Sequence, residues 1–211
     1  MVMVILFSIK HQNQILQKKD VQMKKLFILL ITIALSVIAN AQDVKDLYKE
    51  GKDLYDAKQY TEAFAKFNSA AQQGNKKAQY YLGRCYDKGR GATEDNVKAF
   101  EWYQKSASQD YHKAQYELGR CYKKGKGTEK NLVKAAEYFQ KAATQGNAEA
   151  QYELGKCYLK GKGVSLNEEK AAELFRQAVS NPKDGADVLK KIKKDAADGD
   201  ADAKKILKMI K

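Results

Sequence analysis

The sequence predicts an all-α protein built as a solenoid of stacked helix pairs. Three observations support this fold class. A stretch of 36 residues recurs in register along the chain, each copy carries apolar residues at helical spacing, and a pair of glycines follows the first helix of each copy. Because one helix pair cannot bury its apolar face alone, successive pairs must stack on one another.

The repeat is defined by a Leu-Gly-Arg/Lys-Cys-Tyr segment that occurs three times. Ala-Gln-Tyr precedes each copy, and the whole block predicts the first helix of a pair, here called helix A. A Lys-Gly-x-Gly turn follows, because glycine takes the left-handed conformation that ends a helix at little cost. A short polar side chain then caps the second helix, helix B. The copies of the defining segment are residues 82–86, 118–122 and 154–158, and the predicted caps are Asp95, Asn131 and Asn167.

One glycine lies inside each predicted helix A, at Gly83, Gly119 and Gly155. A glycine in a helix interior costs about 1 kcal/mol relative to alanine. Its recurrence at one register predicts that another helix passes too close for a side chain.

The repeats predict the domain organisation of most of the chain. Four units are expected within residues 42–185, and the first of them has a turn that is four residues shorter than the others. Residues 186–211 are expected to form capping helices, since the last helix alternates lysines with apolar residues as an end cap requires. The expected unit bounds are about 42–77, 78–113, 114–149 and 150–185.

The N-terminal segment predicts export. Lys24 and Lys25 precede a short apolar run, residues 26–39, and Ala39-Asn40-Ala41 has the small-x-small form of a cleavage site. Residues 23–41 are therefore expected to be a signal peptide, and residues 1–22 a disordered extension upstream of a start at Met23. An uncleaved anchor is the alternative, although the apolar run is short for a membrane span. The mature protein is expected in the periplasm or outside the cell, without stable membrane insertion.

With these residues in view, the chain resembles the Sel-one-like repeat family, a relative of the tetratricopeptide repeats. The resemblance rests on the alanine, the Leu-Gly pair, the tyrosine and the Gly-x-Gly turn within residues 78–91, 114–127 and 150–163, and it extends over roughly residues 44–185. It implies a right-handed α-solenoid of tandem antiparallel helix pairs, an adaptor or scaffold role, and no catalytic residues. Some secreted members carry two bonded cysteines per repeat, whereas this chain has one.

Cys85, Cys121 and Cys157 lie one repeat apart and are expected to be unpaired core residues. Stacked helices lie about 8–10 Å apart, whereas a disulfide needs Cα atoms within about 7 Å. His112 is the one histidine after residue 41, so no metal site and no cofactor is expected, and no hydrolase motif supports an enzyme.

Basic residues recur at equivalent positions and are the candidate partner-binding residues. Removing residues 1–41 takes away five lysines and one aspartate, which leaves 34 basic and 25 acidic residues and a net charge of +9. Positions four apart share a helix face, so stacking should align these side chains into stripes. A solvated face that keeps the protein soluble is the competing interpretation. The candidates are Arg84, Lys88, Arg120, Lys124, Lys156 and Lys160, and Arg90, Lys126 and Lys162 follow in the turns.

The sequence thus predicts an exported protein-protein interaction module or scaffold. Its expected partner is a protein, for example one with an acidic surface, or an anionic envelope polymer, and not nucleic acid, because the protein is expected to be exported. Two alternatives stay open: a secreted enzyme or effector, such as a cell-wall-modifying factor, and a regulatory subunit of an envelope enzyme.

Overall fold

The computed structural model describes the backbone of residues 2–211 and the side chains of residues 23–211. Within this part of the chain, ten helices form and no strand is present, which confirms the predicted all-α class. The helices are α1 (Val2–Asp56), α2 (Tyr60–Gln72), α3 (Lys76–Lys88), α4 (Asn96–Ala107), α5 (His112–Lys124), α6 (Leu132–Thr144), α7 (Ala148–Lys160), α8 (Glu168–Val179), α9 (Gly185–Ala197) and α10 (Ala201–Met209).

The chain divides into two compact units, Met1–Asp46 and Leu47–Lys211, and α1 contributes to both. In the first unit, the apolar side chains between residues 26 and 38 are largely exposed to solvent. The segment Met23–Asp56 is long and apolar enough to cross a membrane, a criterion that a signal sequence near an N-terminus also meets. The disordered extension predicted at residues 1–22 falls on residues outside the side-chain description, and it stays a prediction.

The second unit is the α-solenoid. Helix A and helix B of each repeat pack against each other as α3 with α4, α5 with α6 and α7 with α8. Each helix B also packs against the next helix A, which joins the pairs into one stack. At the C-terminal end, α9 and α10 pack on each other and on α8, so that the last pair is covered.

The glycines inside helix A mark the closest approach between the two helices of a pair. A methyl group added at Gly119 would lie 2.5 Å from Phe139 Cδ1, and one added at Gly83 would lie 2.7 Å from Tyr103 Cδ1. The rings that approach the glycines are fully buried. This confirms the prediction that a helix passes too close for a side chain. The four ring residues, Phe67, Tyr103, Phe139 and Phe175, recur at 36-residue spacing.

Helix ends follow the sequence signals. The predicted caps Asp95, Asn131 and Asn167 accept hydrogen bonds from backbone N–H groups three residues on, at 2.8–2.9 Å. Helix A begins two residues earlier than the Ala-Gln-Tyr motif suggests, because Asn75 and Asn147 cap α3 and α7 there. Asp110 takes a left-handed conformation with φ of 55°, in the place that glycine holds at Gly74 and Gly146.

The second glycine of each turn allows the turn to pack closely against the preceding repeat. Gly127 has φ of +71°, and a side chain there would collide with the backbone carbonyl of Asn96 at the start of the preceding helix B. Gly91 and Gly163 make the same approach to Tyr60 and Leu132. Glycine is required at these positions for both its conformation and its size. The turn therefore holds its central cation against the repeat before it.

The three cysteines are free and buried, as predicted. Burial raises the pKa of the Cys85 and Cys121 thiols to about 12 and that of Cys157 to about 11. Because the thiolate is the reactive form, these residues are inert core side chains in the folded protein.

We expect Gly119→Leu to lower the free energy of unfolding strongly although it adds apolar area. Overpacking a core typically costs about 1–3 kcal/mol, and the buried Phe139 ring occupies the space the new side chain needs. Urea denaturation followed by circular dichroism measures the change. Glu137→Leu on the exposed face of α6 is the control, and equal stability of the two variants would contradict the close contact.

We also expect non-reducing mass spectrometry to find three alkylatable thiols after denaturation, and little labelling in the native state at pH 7. Both follow from the buried, unpaired cysteines and their raised pKa. One intramolecular disulfide, or rapid native labelling, would be inconsistent with the stacking described above.

Candidate partner-binding surface

A tyrosine and a cation occupy adjacent turns of every complete helix A. The cationic group of Arg84, Arg120 or Lys156 lies over the ring of the tyrosine four residues earlier, at 5.8, 5.8 and 5.3 Å from its centroid. Each of these tyrosines packs in turn on the helix-B ring of its own repeat, with centroids 5.9–6.0 Å apart. These tyrosines therefore pack between the helix-B rings and the cations and hold the cations in place. The tyrosines are Tyr80, Tyr116 and Tyr152.

Five of the six predicted candidates line two equivalent clefts, one repeat apart. Cleft 1 lies between α3 and α5 and is lined by Asp87, Lys88, Glu117, Arg120, Lys124 and Lys126, with a volume of about 70 Å³. Cleft 2 lies between α5 and α7 and is lined by Lys123, Glu153, Lys156, Lys160 and Lys162 over Leu132 and Ala135, with a volume of about 150 Å³. Arg84 lines neither cleft. It is instead half-buried, over the rings of Tyr55, Tyr80 and Tyr81.

Buried carboxylates interrupt the row of cations. Glu117 accepts a hydrogen bond from Arg120 at 2.9 Å, and Glu153 accepts one from Lys123 at 2.5 Å. Sequence reasoning missed both glutamates because they lie on helix A between the conspicuous basic residues. The sequence feature that could have identified them is their separation of 36 residues, which is one repeat.

The two glutamates differ in electrostatic environment. Burial raises the pKa of Glu117 above its ordinary value, and the neighbouring Arg120 offsets only part of this effect. Burial also acts to raise the pKa of Glu153, but the hydrogen bond from Lys123 and the charges of Lys123 and Lys156 hold it below the ordinary range. The position of Glu153 therefore stabilises a carboxylate more strongly than the equivalent position of Glu117.

The exposed lysines of the row differ in their pairing. Lys88 pairs with its neighbour Asp87 at 3.0 Å, and Lys160 pairs with Asp202 of α10. Within residues 23–211, no carboxylate lies within 4.0 Å of the ammonium of Lys124. Ion pairs of this exposed kind contribute little to stability, so these lysines are available to a partner at small cost.

The described residues contain no group of three or more His, Cys, Asp or Glu side chains that could hold a metal ion. The lysine and arginine side chains that line the two clefts offer ionic and hydrogen-bonding contacts. A helical repeat protein with such a row is of the type that binds other macromolecules along its stacked helices.

The chain belongs to the Sel1 repeat family. The family model matches three consecutive segments, residues 76–111, 112–147 and 148–182, which together make up half of the sequence. Proteins of this family are generally protein-interaction modules, and the fold is typically a non-catalytic scaffold.

The solved structures that are similar to the chain include the following two. A Sel1 repeat protein from Oxalobacter formigenes is 36% identical, with a TM-score of 0.63 over 66% of this chain and 55% of the other. The protein c5321, a protective antigen of uropathogenic Escherichia coli strains with an SLR fold, is 29% identical, with a TM-score of 0.56 over 68% of this chain and 35% of its own length. The chain thus spans about half of the first of these proteins and a third of the second. No curated protein matches the sequence.

We expect Glu117→Gln and Glu153→Gln to shift stability in opposite directions at pH 7. A group with a raised pKa in the folded state contributes stability at low pH that is lost as pH rises, so the neutral side chain of Glu117→Gln removes a cost. A group with a lowered pKa contributes stability above its ordinary value, so Glu153→Gln should lower the unfolding free energy by about 1 kcal/mol.

The measurement is urea denaturation at pH 7 and at pH 4. The difference in unfolding free energy between each variant and the unsubstituted protein should be smaller at pH 4, because the glutamates of the unsubstituted protein are increasingly protonated there. Equal effects of the two substitutions at pH 7 would show that the two clefts have the same electrostatics.

Proposed function

We propose that the protein is an exported interaction module that binds an anionic partner, a protein with an acidic surface, along the row of cations on its A helices. One observation carries this proposal: equivalent cations recur in clefts 1 and 2, held in register by the tyrosines and turns of each repeat. A surface used only for solubility needs no such positioning.

Export is supported by the N-terminal segment. Two lysines, a short apolar run and a small-x-small site have the order of a signal peptide, and the apolar side chains between residues 26 and 38 are exposed in the structure. Cleavage after Ala41 would remove these exposed side chains and leave the repeats intact, because the solenoid unit begins at Leu47. The proposed site of action is the periplasm or the extracellular space.

A triple charge reversal tests the proposal. We expect Lys88→Glu, Lys124→Glu and Lys160→Glu together to leave folding intact, since Asp87 keeps its bond to Lys126 and the pair of Lys160 with Asp202 lies at the surface. Capture of partners from a cell-envelope extract should fall sharply at low salt, measured by affinity purification and quantitative mass spectrometry. The loss should diminish as salt rises, because charges are screened beyond about 10 Å at 0.1 M.

The matched control reverses three exposed lysines outside the clefts, Lys105, Lys141 and Lys194, with the same change in net charge. This control should retain partner capture. If both triple variants fold and capture the same proteins as the unmodified protein at low salt, the row is a solvated face.

A further inference from the structure

The three turn cations, Arg90, Lys126 and Lys162, occupy equivalent positions but do not have equivalent partners. The turn glycines pack each turn against the start of the preceding helix B. Each turn cation lies near the residue at one position in the last turn of the preceding helix A, which is Tyr55, Asp87 or Lys123. Arg90 donates to the hydroxyl of Tyr55 at 2.6 Å. Lys126 donates to the carboxylate of Asp87 at 2.6 Å and to its backbone carbonyl at 3.3 Å.

The third turn cation lacks an acceptor of this kind. The residue equivalent to Tyr55 and Asp87 is Lys123, whose ammonium turns to Glu153 at 2.5 Å. In the part of the chain with described side chains, residues 23–211, no carboxylate lies within 4.0 Å of Lys162. The same holds for Lys156, whereas its counterpart Arg120 is paired with Glu117.

Asp87 shows how a carboxylate next to a turn cation is stabilised. Burial acts to raise its pKa, but hydrogen bonds from Lys126 and Lys88 lower it below the ordinary value. The side chain is only 12% exposed, so the bonds to its two lysines compensate for lost hydration. In cleft 2 the counterpart of Lys126, Lys162, is present and this carboxylate is missing.

Cleft 2 has both a higher net positive charge and a larger volume than cleft 1. Four cations and two carboxylates line cleft 1, a net charge of +2, whereas four cations and one carboxylate line cleft 2, a net charge of +3. One further carboxylate reaches a cation of each cleft, Glu94 at Lys126 and Asp202 at Lys160, so the difference of one charge remains. The volume rises from about 70 to about 150 Å³. Lys191 adds a further positive charge, since its ammonium lies 5.1 Å from the centroid of the Tyr152 ring that also carries Lys156. Like charges held this close repel, and an incoming anion relieves the repulsion.

We propose that cleft 2 binds a side-chain carboxylate from an acidic segment of the partner protein, and that Lys162 and Lys156 receive it. The occupant is a carboxylate because one fills the equivalent position in cleft 1: the carboxylate of Asp87 accepts a hydrogen bond from Lys126, the counterpart of Lys162. Leu132, Ala135 and Cys157 add apolar surface that suits the methylene groups of glutamate or aspartate. This inference rests on the proposed function and assigns it a specific subsite.

The test measures binding of a fluorescein-labelled peptide with alternating Glu and Gly residues to protein purified after expression of the full chain. Fluorescence anisotropy at low salt should give saturable binding at one site. The same peptide with Gln for Glu should not bind, and amidation of its C-terminus should leave the affinity unchanged. Inorganic phosphate should compete weakly. The proposal would be overturned if binding depended only on the free C-terminal carboxylate of the peptide, or if the Gln peptide bound as tightly as the Glu peptide.

Substitutions at equivalent positions separate this cleft from general electrostatics. Lys162→Gln should weaken peptide binding roughly tenfold, since a hydrogen bond between charged groups is lost. Lys126→Gln removes the same charge from cleft 1, where Asp87 already occupies the position, and should leave peptide affinity unchanged once its thermal melt shows that it is folded. Equal weakening by both substitutions would overturn the assignment.

A reciprocal exchange provides the second measurement. Lys123→Asp places an internal carboxylate beside Lys162, as Asp87 lies beside Lys126, and should abolish binding at cleft 2. Asp87→Lys should create a second site and raise the stoichiometry from one to two. If neither exchange changes the stoichiometry or affinity, cleft 2 is not the site. Envelope partners captured normally by Lys162→Gln protein that fails to bind the peptide would mean that the wider cationic row, and not this cleft, holds them.

Discussion

The stack depends on one contact, in which a ring from helix B lies directly on a glycine of helix A. At Gly83, Gly119 and Gly155 even a methyl group would lie within 2.7 Å of a ring atom. The close approach brings the two helices of a pair together and buries the ring completely. The helical penalty of glycine, about 1 kcal/mol, is small beside the roughly 3–5 kcal/mol that truncating a buried aromatic costs. The remaining geometry of the repeat, including the position of its cations, follows from this packing.

The cations are positioned by the same core. Each helix-B ring supports a helix-A tyrosine, and each tyrosine supports a cation one turn further along. The turn glycines then bring a second cation against the preceding repeat. A basic side chain on such a support is less free to rotate than an ordinary surface lysine, so ordering it on binding costs less entropy. Repetition of the core therefore produces repetition of the charged surface.

Small sequence differences between repeats make the two clefts different. Where one repeat has Asp87, the next has Lys123, which pairs with Glu153 and leaves Lys162 without a carboxylate of this kind. Duplication alone would have preserved Asp87, Lys126 and their bond in every repeat. A repeat protein can in this way acquire one distinct subsite without disturbing the shared core, because the altered side chains lie at the rim of the helix pair.

The sequence by itself determined the helix pairs, the caps, the buried cysteines and the close contacts at the glycines, because these depend on local propensity and on 36-residue periodicity. It also identified the six candidate cations by register. Only the tertiary structure decided that Arg84 lies over three tyrosines outside the clefts, that Glu117 and Glu153 interrupt the row, and that Lys160 pairs with Asp202. These outcomes depend on distances between residues of neighbouring repeats and the cap. The 36-residue period shows which residues occupy equivalent positions. It does not show which of several nearby charged groups each side chain contacts.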